Sequence, residues 1–212
     1  RRAATFRPFF LPGGERAARE PWRSGAALAW EAGLTWDDLP EGGALLHDAW
    51  RRRVNCFQTS AVDRLFDAAA ALTGLLREAS FEGQGGMWLE AACDGEAAPI
   101  ALPLEKNGAG VWQSDWSSLL PLLLNGRRAA GEKAAVFHAS LAHALLAQAR
   151  AVRREHPIDA VGLSGGVFQN RRLTEQAVGL LAADGFTVRL ARRLPCNDGG
   201  LCFGQLIEAG NG

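Results

Sequence analysis

Three stretches of this sequence combine residue types that can do chemistry. The first is Leu163-Ser164-Gly165-Gly166-Val167-Phe168-Gln169-Asn170. An apolar run stops at two glycines and a helical pattern begins. Glycines let a backbone approach a ligand closely, and the free N–H groups of a helix start favour anions or polar ligand edges. On pattern alone, the reading as a nucleotide-binding turn stands beside the reading as a plain Gly-Gly turn. The second stretch is Pro195-Cys196-Asn197-Asp198-Gly199-Gly200. It sets a carboxylate before a helix, where Asp198 is either a helix cap or a catalytic or metal-ligating group. The third is Thr59-Ser60-Ala61-Val62-Asp63-Arg64-Leu65-Phe66-Asp67. Asp63 and Asp67 are four apart and share a helix face. They can hold a ribose or a metal, or pair with Arg64 or Arg53 as an ordinary surface.

The elements that must position these groups follow from periodicity and punctuation. Residues 4–11 read as extended, and Pro12-Gly13-Gly14 breaks the chain. Residues 15–31 have helical spacing, with Pro21 a kink or a boundary. Helices are expected at 44–53, at 61–76 with Thr59 or Ser60 as cap, and at 87–93. Residues 98–104 and 111–113 flank Asn107-Gly108 and read as a hairpin, Asn-Gly suiting the positive φ angles of a tight turn. Asp115 or Ser117 caps a Leu-rich helix, and 129–154 is the longest helix. Then come a short buried strand at 158–163, a helix at 168–183, a strand at 186–190 and a helix at 201–209. Strand–turn–helix repeated twice predicts parallel strands with crossover helices, hence an α/β fold with ligands at the carboxyl ends of its strands.

Composition narrows the function classes. Of 212 residues, 23 are Lys or Arg and 23 are Asp or Glu, so net charge is zero. A balanced chain offers no general attraction to nucleic acid or to an anionic membrane, and neither is expected as a partner. No apolar run has the roughly 18 residues of a membrane span. Cys56, Cys93, Cys196 and Cys202 include no Cys-x-x-Cys pair and form no ligand-spaced set with the four His. They are expected to be reduced thiols of a cytoplasmic protein. The chain opens on Arg1-Arg2 rather than Met, which leads us to expect a piece of a longer protein.

Taken together, Phe6-Arg7-Pro8-Phe9-Phe10-Leu11-Pro12-Gly13-Gly14-Glu15, Arg64-Leu65-Phe66-Asp67-Ala68, Phe81-Glu82-Gly83-Gln84, Leu163 to Arg171 and Asn197-Asp198-Gly199-Gly200 resemble the C-terminal region of the HypF hydrogenase-maturation carbamoyltransferases. The resemblance spans nearly the whole chain. It implies a helix-rich α/β lobe of the actin and sugar-kinase type, with a small, mostly parallel sheet and a β-hairpin, over residues 1–212. It implies an enzyme that passes a carbamoyl group from carbamoyl-adenylate, made from carbamoyl phosphate and ATP, to the C-terminal Cys of HypE; this lobe alone is expected to be inactive. Related O-carbamoyl or tRNA threonylcarbamoyl transferases, and a non-catalytic docking lobe, are the alternatives. Carried over by position, Asp67, Gly83, Gly165, Gly166 and Asn170 are expected at the nucleotide, and Asp198 at a divalent metal, iron or zinc, shared with a first lobe. The resemblance assigns no catalytic residue beyond these. Two departures stand out: no His-x-x-x-His motif is present, and Asp63 stands where the family usually has Gly. A carboxylate at position 63 is expected to repel phosphate.

Overall fold

Pro8 decides how the N-terminus folds. In the computed structural model, which describes residues 1–210, the extended run is two strands, β1 (Ala4–Phe6) and β2 (Phe9–Pro12). Arg7 still donates its N–H to the Ser114 carbonyl at 2.8 Å. Pro8 has no N–H to continue the ladder, and the chain changes sheet there. β2 pairs antiparallel with β3 (Cys56–Thr59), a strand that periodicity does not reveal.

Pro21 is a boundary and not a kink. It occupies the first position of α1 (Pro21–Glu31), where its missing N–H costs nothing, and a separate 3-10 turn, Gly14–Ala18, precedes it. α1 is buried from Pro21 to Ala29. α2 (Gly43–Arg51) ends two residues early, because Arg53 and Asn55 take left-handed φ angles of 57° and 48°. α3 (Val62–Leu72) lies against α1; a methyl added at Gly25 would stand 3.3 Å from Leu72 Cγ, so small residues set this approach. The helix stops at Leu72, short of the expected 76. Neither Thr59 nor Ser60 caps it. Thr59 Oγ1 accepts the N–H of Ala61, closing a local turn, and Ala61 holds the cap position without a side-chain bond.

α4 (Gln84–Ala92) follows Gly83, whose φ is 79°. The hairpin exists as β4 (Leu104–Lys106) and β5 (Trp112–Ser114), paired antiparallel, while 98–103 is not strand. Gly110, with φ of 74°, makes the reversal, and Asn107 Oδ1 accepts the N–H groups of Ala109 and Val111. Asn107 therefore acts through its side chain and not through a left-handed backbone. β5 also pairs in parallel with β1. Asp115 caps the next turn by accepting the Ser117 N–H at 2.8 Å, ahead of the short α5 (Leu120–Leu123).

α6 (Ala130–Glu155) is the longest helix and runs through the core. β6 (Ala160–Leu163), α7 (Arg171–Ala183), β7 (Thr187–Leu190) and α8 (Leu201–Gly210) complete the chain. β6 and β7 pair in parallel, Leu163 opposite Leu190, as a strand–turn–helix repeat requires. They form a sheet of their own, however. The described residues hold three small sheets and eight α-helices, so no one sheet carries the lobe. Nor is β6 a buried strand: of its residues only Leu163 is buried. Leu146, Leu181 and Phe186 cover one face of this pair, while Leu201, Phe203, Leu206 and Ile207 of α8 are exposed. No described helix is long and apolar enough to cross a membrane.

Candidate functional site

Two helix starts and two turns converge on a cleft of about 940 Å³. That is large enough for a nucleotide-sized ligand. One wall is α3 and the start of α4, with Asp63, Asp67, Gly83, Gly86 and Glu90. The other is the turn between β6 and α7, with Gly166, Gln169 and Asn170; Asn197 and Asp198 close the mouth. Asp67, Gly83, Gly166, Asn170 and Asp198 thus share one cavity. Gly165 is not in its lining. It lies behind, with φ 106° and ψ 156°, and donates its N–H to the Cys196 carbonyl at 2.6 Å. Its role is to tie the first glycine turn to the second.

Asp67 is 7% exposed. Its Oδ2 lies 2.8 Å from Arg64 Nη1. Burial pushes this carboxyl up to about 6, against the pull of the Arg64 guanidinium, with Asp63 and Glu82 adding to the rise. Asp63 Oδ2 is 2.9 Å from Arg64 Nη2. Arg64 therefore holds both carboxylates, so the Asp63 charge that was expected to repel phosphate is paired within the cleft. The pairing with Arg64 is the one the sequence offered as an ordinary surface; the structure instead sets Arg64 in the lining of the cleft, as a site residue the motifs did not assign.

Gly83 and Gly86 set the start of α4 against the cavity, where first-turn N–H groups have no intrahelical partner and favour negative charge. Gly85 faces the other way. A methyl there would stand 2.9 Å from Asp67 Oδ1, so the missing side chain keeps α4 close to α3. Asn170 caps α7 by accepting the Leu173 N–H at 2.8 Å.

Asp198 is exposed and is not the cap of its turn. Asn197 fills that role, its Oδ1 accepting the Gly199 N–H at 3.1 Å. The carboxylate is left unengaged at the mouth. Five acids, Asp63, Asp67, Glu82, Glu90 and Asp198, line the cleft against the one arginine, Arg64, a field that favours a cation beside any phosphate. Yet no three His, Cys, Asp or Glu residues are gathered to hold a metal among the described residues. Asp198 is one ligand and not a ligand set, since catalytic metals usually take three protein groups.

The pH dependence of Asp67 follows from its burial. Between about pH 4 and 6 the folded chain keeps a proton that the unfolded chain has released. This group's contribution to stability therefore falls as pH rises through that window and is level above it. Asp67→Asn should remove the slope. Relative to wild type, the variant should gain up to about 2 kcal/mol between pH 4 and 7. Urea unfolding at the two pH values measures it; an unchanged difference contradicts the raised carboxyl.

Residues 1–205 match the family model of the carbamoyltransferase Kae1-like domain, second subdomain. The chain is 34% identical over 239 residues to carbamoyltransferase HypF2 of Cupriavidus necator, covering 99% of this chain and 30% of that protein. It is 37% identical over 216 residues to carbamoyltransferase HypF of Rhodobacter capsulatus, covering 98% and 28%. It superposes on full-length HypF in a phosphate- and nucleotide-bound form with a TM-score of 0.90 at 27% identity, over 100% of this chain and 29% of that one. HypF of T. kodakarensis, at 22% identity and a TM-score of 0.84, shares the fold. The chain thus spans less than a third of the length of these relatives. On the match of nearly its whole length to the second subdomain, the chain belongs to the HypF carbamoyltransferase family.

Proposed function

We propose that this cleft binds the nucleotide part of an activated carbamoyl donor, as one wall of a carbamoyltransferase active site. The observation that carries the reading is the meeting of Asp67, Gly83, Gly166, Asn170 and Asp198 in one cavity from three distant parts of the sequence. The HypF structure most like this chain among those above was solved with phosphate and nucleotide, which supports the same ligand class here. In this reading Asp67 accepts from a ribose hydroxyl. The N–H groups at the start of α4 and at the Gly166 turn face phosphate oxygens. Gly165 acts at one remove, by holding the two turns together.

The donor is carbamoyl-adenylate and the acceptor the C-terminal Cys thiolate of HypE. Sulfur forms a bond to the carbamoyl carbon, the bond from that carbon to the phosphate oxygen breaks, and AMP leaves with the electron pair. The residues described here bind and orient the adenylate. Asp198 is the one ligand this chain would offer to a divalent metal, a group whose Lewis acidity would aid the departure of AMP.

Calorimetric titration of the protein with ATP tests the nucleotide reading, and no measurable binding would overturn it. Asp198→Asn tests the mouth. The side chain is exposed and Asn197 carries the cap, so stability should change by less than about 1 kcal/mol. Carbamoyl transfer to HypE by the full-length enzyme should be abolished. If transfer continues at the wild-type rate, Asp198 has no part in the chemistry.

A further inference from the structure

Behind the cleft Asn170 leads into a buried polar cluster whose other members, His138 and Cys93, the proposed function does not use. His138, in the middle of α6, is 0% exposed. Its Nδ1 lies 2.7 Å from the Ala134 carbonyl oxygen and its Nε2 lies 2.9 Å from Asn170 Nδ2. The orientation of the Asn170 amide is set independently: its Oδ1 must face the Leu173 N–H, so the NH2 group is the end turned to His138. A carbonyl oxygen only accepts, so Nδ1 carries the ring proton. An amide nitrogen only donates, so Nε2 offers its lone pair. Both neighbours demand the same neutral tautomer, and burial, which holds this imidazole below its ordinary pKa, favours it too.

Cys93 Sγ lies 3.4 Å from His138 Nδ1. Thiol, imidazole and amide in that order resemble a nucleophilic constellation. The proton positions exclude it. The nitrogen facing the thiol is the protonated one, aimed at Ala134, and has no lone pair with which to accept a proton. The thiol is within 3.2 Å of the Leu89 carbonyl, and burial pushes its pKa up, away from thiolate. The cluster orients; it does not react.

What it orients is the cleft. Asn170 Nδ2 also approaches the Gly86 carbonyl at 3.4 Å, and the Arg172 N–H donates to Glu90 Oε1 at 2.9 Å. Gly86 and Glu90 belong to the α4 wall, and Asn170 to the α7 wall. We propose that His138 is a positioning residue: by accepting from Asn170 it locks the α7 wall of the cleft to the α4 wall and to α6, and so sets the cleft's shape for its ligand. For the ligand itself this rests on the nucleotide reading above.

The test compares the full chain with its His138→Leu and His138→Gln variants. Leu fills the space and accepts nothing, whereas the Gln carbonyl can accept from Asn170. ATP affinity by calorimetry should fall on the order of tenfold in His138→Leu, as when an outer partner of a site is removed. It should recover in His138→Gln. A merely space-filling role would give no such rescue. By NMR, the Asn170 side-chain NH2 protons should exchange slowly in wild type and His138→Gln, and fast in His138→Leu. A folded His138→Leu with wild-type ATP affinity and slow Asn170 exchange overturns the proposal. If His138→Leu does not fold, His138→Gln decides: retained affinity and slow exchange support the lock, and their loss in a folded protein refutes it. If wild type itself binds no ATP, the nucleotide reading fails, and the exchange comparison alone judges the lock.

Discussion

Trp116→Ala should lower the unfolding free energy by about 3–5 kcal/mol, the usual cost of emptying a large aromatic site in a core. Trp116 is 1% exposed and meets Phe9 edge to face, with ring centroids 5.9 Å apart. Its Nε1–H donates to the Arg7 carbonyl at 2.6 Å, and the Arg7 guanidinium lies 5.1 Å above its ring. Arg7 in turn reaches Asp115 at 3.2 Å. One side chain thus joins β1, β2 and the turn before α5. Removing it leaves a cavity and an unpaired carbonyl together, which adds to the loss. Against a total of roughly 5–15 kcal/mol for a domain, such a change threatens folding itself. Denaturant titration measures it. Trp88→Ala is the contrast: that ring is 44% exposed, and its loss should cost well under half as much. Equal costs at the two positions would refute this account of the core.

Gly165→Val should disable the cleft without dismantling the fold. At φ 106° and ψ 156° Gly165 occupies a region essentially closed to other residues, where a side chain costs on the order of 1–3 kcal/mol. The turn has an escape, which is to shift, and shifting breaks the N–H contact to Cys196 that holds the second turn in place. Asn197 and Asp198 then leave the mouth. Because misplacing reacting groups by about 1 Å costs on the order of a hundredfold in rate, carbamoyl transfer by the full-length enzyme should fall by about that factor, and ATP affinity should fall with it. Gly162→Ala, three residues back in β6 with an ordinary φ and open space beside it, should bind ATP as wild type does. If Gly165→Val binds ATP normally, the two turns are not coupled.

The sequence by itself determined the features whose causes lie within a few residues. Pro21 starts a helix because its ring suits that position; Asp115 caps because its carboxylate reaches the N–H two residues on. Strand, glycine turn and helix repeated twice made β6 and β7 parallel neighbours. The motifs also named, through family resemblance rather than spacing, residues that come to share a cleft. Tertiary structure alone decided the rest. β3 is four residues long and is a strand because β2, more than forty residues earlier, supplies its partner. Thr59 had the chemistry of a cap but was used in a local turn beside that pairing. Arg64 became a clamp on two carboxylates because α3 was buried, which moved Asp67 out of water. His138 looked like any helix residue. Its tautomer and its hold on Asn170 arose when α6, α4 and α7 met around it, and those contacts span dozens of residues that no local pattern encodes.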